Sequence, residues 1–556
     1  MSAYRPVARI TCRVVEVQPE QCLDPEGFQV NDHSGCKPRT LTLTSTYQFF
    51  LCAGDAFDVG RSHHNDVIIK HPYVSRKAFT IYAVDYEQDG SDVQPLVYVR
   101  DCRSLTGTYV NGRCIGSQEL GNASAHLLSR GEVICLIPYW QFHIELLGIP
   151  ELRSPLTSLQ RDETQANHWA KLFSDRYFIT NRSLGSGSFG SVRLALKVQP
   201  GQQVVCKIHN LEQMRTRPGW RDSVRRVMDE TDLLGKLHHP NLLDFEFAYK
   251  SKDTLYTFTE LATGGDLFSM RSSYYHGFEE NDARFVVKQI VSAIRYLHKK
   301  GIAHRDLKPE NIFFAAGPFV TGRVIVGDLG FATYTTSGRM NSRIGTDIFM
   351  APEIYRGQSY GTAVDIWSIG AIILFLLAPD QEKLPCLREL NQEAIDEFLG
   401  ALFDRGYFNG VLSDSCQSFI RSCMIVDPQS RITAYEAKRH PWLQNDEQGS
   451  SRRIREVEEW RPAHLVAPPV VDLDLIKASP GKKRKAANEG EIAMASQQSR
   501  HFATAGSSPI KRRKQSPDTA GSSPTKRPEK TPDTAGSAPI KRPKKIPTIT
   551  LTHPSQ

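Results

Sequence analysis

Apolar residues in the first 150 positions come in short bursts, at 8–17, 41–43, 67–69, 78–84, 96–99, 133–137 and 142–147, with Gly, Asn and Asp between them. Many short β-rich runs broken by turn formers predict an all-β sandwich over residues 1–150. The polar stretch that follows predicts a linker at 151–175. From 176 to 443 the pattern changes to strands followed by longer helical stretches, with Val224, Val227, Met228 and Leu234 recurring at helix spacing. A second domain of mixed strands and helices is expected there. Residues 444–556 are polar and repetitive, and 504–518, 519–533 and 534–548 align at a period of fifteen. These repeats hold almost no large apolar side chains, so they cannot offset chain entropy, and a disordered tail is expected.

Composition and charge sharpen this division. A chain of 556 residues, 40% hydrophobic and 23% charged, is long enough for two or three cores. Its formal net charge of +8 is unevenly spread: residues 475–556 hold 17 Lys and Arg against 5 Asp and Glu, which leaves the rest slightly acidic. Basicity belongs to the tail, which argues against nucleic-acid binding by the whole surface. Eleven cysteines, without any Cys-x-x-Cys pair, fit reduced thiols better than a disulfide framework or a zinc site. Arg5, Arg9 and Arg13 interrupt the N-terminus, so no signal peptide is expected. The longest apolar stretch, 369–378, is far below the ~20 residues of a membrane span, and no membrane partner is expected.

The candidate chemistry lies in the mixed region. Leu184-Gly185-Ser186-Gly187-Ser188-Phe189-Gly190-Ser191-Val192 is a run whose backbone can approach a phosphate, while Leu184 and Val192 could cover a base. Alone, such a run is as often an ordinary turn. Lys207 closes the β run Val204-Val205-Cys206-Lys207 fifteen residues after Val192, where an ammonium could reach the same phosphates from a neighbouring strand. His304-Arg305-Asp306-Leu307-Lys308-Pro309-Glu310-Asn311 sets a carboxylate, an ammonium and an amide in one tight loop. A base for an alcohol, a charge for a transferring phosphoryl and a metal ligand are what phosphoryl transfer requires. Asp328, seventeen residues after Asn311 in Val326-Gly327-Asp328-Leu329-Gly330, adds a carboxylate suited to Mg²⁺.

In order and spacing, these elements and the following Ala351-Pro352-Glu353 resemble the eukaryotic protein-kinase signature. The resemblance implies a bilobal α+β fold, ATP and Mg²⁺ as cofactors, and transfer of the γ-phosphate. Under it, Asp306 is the base for the substrate hydroxyl, Lys308 steadies the transferred phosphoryl, and Asn311 and Asp328 hold Mg²⁺. Lys207 holds the α- and β-phosphates and pairs with a helix glutamate. Glu230 is assigned to that pair, with Asp229 and Asp232 as alternatives. The nucleotide pocket is assigned Leu184, Gly185, Ser186, Gly187, Ser188, Phe189, Gly190, Val192, Lys207, Glu260, Asp266, Asn311 and Asp328. Lys308-Pro309-Glu310-Asn311 is the serine/threonine form of the loop. Asp266 with Glu310 resembles the acidic pair that basophilic kinases offer to arginine, which implies Arg-x-x-Ser/Thr substrates; contact with ribose alone is the other use of Asp266. Leu329 stands where the family usually has Phe, yet no ligand is missing and activity is expected. Arg305 implies control by an anion on the activation loop, with Ser342 and Thr346 as the assigned acceptors.

In the β-rich region, Val59-Gly60-Arg61-Ser62, Val74-Ser75-Arg76-Lys77-Ala78, residues 101–104 and Gly107-Thr108-Tyr109-Val110-Asn111-Gly112 stand out. Singly each is bland, and Asn111-Gly112 alone reads as a hairpin. Together, over a core of about 57–116, they resemble a forkhead-associated domain, a phosphothreonine-binding sandwich. Arg61, Ser75, Arg76 and Asn111 match the phosphopeptide-contacting positions, and Ala78 departs from the usual histidine.

One such sandwich ahead of a serine/threonine kinase resembles the checkpoint kinase 2 family, which implies checkpoint signalling in the DNA-damage response, with the meiotic branch as the alternative. The implied partners are phosphothreonine-containing proteins, basic protein substrates and a second copy of the chain, because docking favours activation in trans. No Ser-Gln or Thr-Gln occurs before Leu51, so the docking ligand is expected on another protein, with Thr164-Gln165 in the linker as the isolated candidate within this chain. Lys482-Lys483-Arg484-Lys485 and Lys511-Arg512-Arg513-Lys514 resemble nuclear-import clusters, with DNA contact as the competing use. A nuclear location with a cytoplasmic pool is expected. A silent kinase fold serving as a phosphothreonine-binding adaptor is the alternative to an enzyme.

Overall fold

The computed structural model describes residues 6–14, 46–84, 95–120, 125–136, 140–147, 176–187, 190–198, 202–317 (apart from 273 and 275), 322–334, 349–379, 391–404, 411–444, 460–464, 470–473 and 549–552, with single positions 173, 408 and 457. The first module is built from β1 (Pro6–Val14), β2 (Thr46–Cys52), β3 (Ala56–Gly60), β4 (Val67–Lys70), β5 (Phe79–Val84), β6 (Leu96–Asp101), β7 (Thr108–Val110), β8 (Arg113–Gly116), β9 (His126–Leu127), β10 (Val133–Leu136) and β11 (Trp140–Leu146). One sheet runs β2-β1-β11-β10-β7-β8 and the other β4-β3-β5-β6-β9. Alternation decides what faces inward: in β11, Trp140, Phe142, Ile144 and Leu146 are buried and the residues between them are less so. They share an apolar core with Ile10, Leu51, Phe57, Val59 and Ile81. The apolar bursts did not announce β2, which carries the contiguous run Phe49-Phe50-Leu51-Cys52, or β3, which Asp58 interrupts. The burst at 41–43 lies outside the described residues.

The smaller lobe of the second module contains β12 (Tyr177–Gly187), β13 (Gly190–Lys197), β14 (Gln203–Asn210), α1 (Leu211–Arg215), α2 (Trp220–Lys236), β15 (Phe245–Lys250) and β16 (Thr254–Glu260). Its antiparallel order is β12-β13-β14-β16-β15. Helix α2 buries Val227, Glu230, Thr231, Leu233 and Leu234, while Val224 and Met228 lean on Leu211, Met214 and Leu255. In the larger lobe stand α3 (Leu267–Ser272), α4 (Glu280–Lys299), β17 (Ile302–Ala303), β18 (Ile312–Phe314), β19 (Val324–Val326), β20 (Thr333–Tyr334) and α5 (Ala363–Leu377). Apolar on every face, α5 is buried along almost its whole length. Glu353 and Arg431 form an ion pair there at 2.8 Å, both nearly inaccessible.

The expected tail does not begin at 444. Trp460 lies over the Arg323 guanidinium, and the Ala463 N–H donates to the Asp244 carboxylate at 2.8 Å. Strand β21 (Val471–Asp472) pairs in parallel with β15, and Leu473 enters the core beside Phe173 and Tyr177. Leu465, Val466, Val470, Val471 and Leu473 make a short apolar run inside the region read as polar, preceded by Pro462 and broken by Pro468 and Pro469. Last, β22 (Ile549–Thr552) pairs in parallel with β4. The basic clusters and the fifteen-residue repeats lie outside the described residues.

Candidate functional site

Two strands and a hairpin bring the cleft residues together. Lys207 lies opposite Val192 in the β13–β14 register. Its ammonium donates to Glu230 at 3.1 and 3.4 Å. Helix phase separates the three candidate acids: Glu230 is on the buried face of α2, while Asp229 and Asp232 are exposed and Asp229 faces Arg225. Burial by itself lowers the Lys207 pKa, but Glu230 and Asp328 outweigh it and hold the lysine above its ordinary value. The lysine is thus charged, and its side chain remains 38% exposed, so an anion can reach it.

Asp306 and Asn311 are bound to each other. The Asn311 Nδ2 donates to the Asp306 carbonyl at 2.8 Å and to its Oδ2 at 3.1 Å, and the Lys308 ammonium lies 3.1 Å from the same oxygen. Strands β18 and β19 pair Ile312 with Val326, and the Gly327 N–H donates to the Asn311 carbonyl at 2.8 Å. That hairpin places Asp328 beside Asn311 despite their separation in sequence. Asp328 has φ +51°, in the left-handed region, and its Oδ1 accepts from the Gly330 N–H at 3.3 Å. Both Asn311 bonds use its N–H groups, which leaves the amide oxygen as a hard donor. With the Asp328 carboxylate it makes a donor set of the kind Mg²⁺ takes alongside substrate phosphates. When bound, the ion would neutralise phosphate charge.

The loop is anchored by a residue that sequence reading passed over. Asp365, on α5, accepts from the His304 and Arg305 N–H groups at 2.9 Å each and lies 2.7 Å from His298 Nε2. Burial would raise its pKa, but the His298 and backbone bonds more than offset this and hold it below the usual carboxylate range. Arg305 has φ +71°, a strained conformation that these bonds sustain. Its guanidinium is held by the Phe331 carbonyl and the Tyr360 hydroxyl. The signal for Asp365 was its place at the start of the apolar run Val364-Asp365-Ile366-Trp367. Leu329 is buried in the larger lobe's core.

Other assigned residues have different surroundings. Gly185 and Val192 face each other across the β12–β13 hairpin, as do Ser186 and Ser191, and Gly187 and Gly190. A Cβ on Gly190 would lie 2.0 Å from the Ile208 carbonyl oxygen, so strand packing alone requires this glycine. Ser188 and Phe189 lie outside the described residues, as do Ser342 and Thr346. The Glu260 carboxylate pairs with Arg323 and accepts from the Asp244 N–H at 2.8 Å. Asp266 accepts from Ser269 N–H and Oγ at 2.7 and 3.0 Å, which caps α3. Burial raises Asp266, with its Ser269 bonds offsetting part of the effect, and desolvation together with the Asp266 and Asp306 charges raises Glu310. Glu310 is exposed.

At one end of the sandwich, the Arg61 N–H donates to the Ser75 carbonyl at 2.9 Å and Arg61 Nε to the Val74 carbonyl at 3.0 Å. Both NH₂ groups of the exposed arginine remain for an anion. Ser75 Oγ accepts from the Leu105 N–H at 2.8 Å and keeps its own proton to donate. Arg76 is exposed, and its carbonyl accepts from Ser62 N–H and from the buried Asn65 Nδ2. Asn65 therefore braces the loops, where Ala78 offers no side-chain bond. Gly60 is required because a Cβ would lie 2.6 Å from the Arg76 carbonyl oxygen.

Asn111 is a correction. It sits past the far end of β7 from the Leu105 loop, with φ +48°, and its Oδ1 accepts from the Val133 N–H at 2.9 Å. It shapes a hairpin and ties it to β10. The residue at the Arg61–Ser75 end is Thr106, partly exposed next to Leu105. Its signal was the Gly107-Thr108 pair it precedes.

Comparison with known proteins agrees with this two-part geometry. The family description "Protein kinase domain" matches residues 178–443, and "FHA domain" matches residues 57–136. The chain belongs to the serine/threonine protein kinases that carry a forkhead-associated (FHA) domain, the checkpoint kinase 2-like group. Probable serine/threonine-protein kinase fhkC of Dictyostelium discoideum is 30% identical over 446 residues, covering 79% of this chain and 70% of that protein. Meiosis-specific serine/threonine-protein kinase mek1 of Schizosaccharomyces pombe is 28% identical over 454 residues, covering 78% of this chain and 91% of that protein. Human calcium/calmodulin-dependent protein kinase type 1B is 34% identical over 275 residues, covering 49% of this chain and 76% of that protein.

Proposed function

We propose that this serine/threonine kinase acts in checkpoint signalling of the meiotic type, recruited through a phosphothreonine on another protein and activated in trans at Ser342 or Thr346. The observation that carries this reading is the likeness to the meiosis-specific kinase, which runs through both modules and spans 91% of that protein. Phosphoryl transfer follows from the cleft. Lys207 would hold the nucleotide phosphates, Asp306 would orient and deprotonate the acceptor hydroxyl, Lys308 would balance the developing charge, and Asn311 with Asp328 would hold Mg²⁺. The exposed Glu310 beside Asp306 supports a preference for arginine upstream of the acceptor, with Asp266 adding negative field while it caps its helix. The basic clusters at 482–485 and 511–514 support nuclear import, and Ser508, Ser516, Ser523 and Thr531, each followed by Pro, would tune it by adding about −1.5 to −2 charges per phosphate.

The test is concentration-dependent autophosphorylation with and without a peptide carrying two phosphothreonines. Stimulation at Ser342 or Thr346 by the doubly phosphorylated peptide, and none by its dephosphorylated form, is expected. Equal rates with both peptides would contradict recruitment-driven activation.

A further inference from the structure

Tyr82 belongs to the FHA module, yet its side chain serves the kinase. It is completely buried, and its hydroxyl donates to Thr263 Oγ1 at 3.2 Å and accepts from the Gly317 N–H at 3.2 Å. Thr263 lies in the crossing between the two lobes, and Gly317 lies just beyond β18, the strand that starts after Asn311. The crossing is itself stitched to that strand: the Thr263 N–H and Oγ1 both donate to the Ala315 carbonyl, and the Gly264 N–H donates to the Phe314 carbonyl. Gly317 permits the approach, since a Cβ there would lie 2.7 Å from the Tyr82 ring.

The same face of the sandwich also reaches the smaller lobe. Tyr82 stacks on Tyr98 at 5.5 Å, and with Leu127 they bury Leu194, with Leu184 and Leu261 packed against the cluster. Gln203, at the start of β14, accepts from the Leu127 N–H at 2.7 Å and donates to the Leu127 carbonyl at 3.1 Å. The FHA module therefore grips both lobes and the segment between them.

We propose that Tyr82 is a positioning residue for phosphotransfer: by fixing Thr263 against the 315–317 turn it sets the angle at which Leu184 and Lys207 stand over Asn311 and Asp328. This rests on the chain being an active kinase, and nucleotide binding without turnover separates the two questions. In the full chain, Tyr82→Phe keeps the ring and removes both bonds. The expected result is a roughly threefold to tenfold rise in KM for ATP and in Kd for a non-hydrolysable ATP analogue, with kcat little changed. Combining it with Thr263→Val should cost no more than the larger single change. Unchanged nucleotide affinity, additive losses in the double variant, or a fall in melting temperature alone would overturn the proposal. So would a gain in activity, because the contact would then restrain the enzyme instead of ordering it. Wild-type chain that binds the analogue but transfers no phosphate would overturn the kinase reading and leave the Tyr82 measurement readable through Kd.

Discussion

The catalytic cleft and the phosphothreonine end of the sandwich both handle phosphate, but they are built differently. In the cleft the working side chains hold one another: Asn311 binds Asp306, Lys207 binds Glu230, and Asp365 fixes the loop from below. Asp306 and Asn311 are only 5% and 6% exposed, so each is locked by packing as well. At the sandwich end, exposed arginines are placed by backbone bonds, and Asn65 does the bracing out of sight. Transferring a phosphoryl group demands reacting atoms held to a fraction of an ångström, whereas capturing an anion needs only donors on a shaped loop. This difference explains why Ala78 in place of histidine is compatible with the second site, while in the first the departure at the metal loop, Leu329, falls on a packing position.

The largest effect separating the two regions should come from Asp306→Asn, which removes the base. Phosphorylation of a basic peptide should fall at least about a hundredfold while nucleotide still binds. Next comes Arg431→Ala, which strands the buried Glu353 carboxylate and should cost about 3–5 kcal/mol in denaturant unfolding. In the sandwich, Arg61→Ala should weaken a phosphothreonine peptide by roughly tenfold to a hundredfold in calorimetry, the range for losing charge-assisted bonds. Asn111→Ala should lower stability through its hairpin and leave that affinity nearly unchanged; equal losses from both variants would restore Asn111 to the binding surface.

The smallest effect is a pH slope. Burial pushes the Asp244 carboxyl up to about 7 from its ordinary 3.8. The folded chain then binds more protons than the unfolded one between those values, so this group lowers stability as pH rises through that window. Asp244→Asn should flatten the decline in melting temperature over the same range.

The cleft was legible because its chemistry sits in short contiguous motifs, and the Glu230 assigned to it lies on the buried face of α2. The parts that were not legible depend on pairings distant in sequence. The Glu260 carboxylate pairs with Arg323, on another segment, a partnership nothing in its own motif announces. Asn111 shared a motif with the binding loop but stands at the other end of a three-residue strand. The return of 460–473 onto the smaller lobe rests on a short apolar run that prolines interrupt, which shows neither a helix nor a strand period. Tyr82 looked like one more strand aromatic, since nothing local marks a side chain whose partners lie in another module.

The most direct test is transfer of labelled γ-phosphate from Mg–ATP to Ser or Thr, comparing the full chain with Asp328→Ala. Label on the wild-type chain or a basic peptide, lost in the variant, is the predicted result. Folded, nucleotide-binding wild-type protein that labels no hydroxyl, or an Asp328→Ala variant as active as wild type, would contradict it.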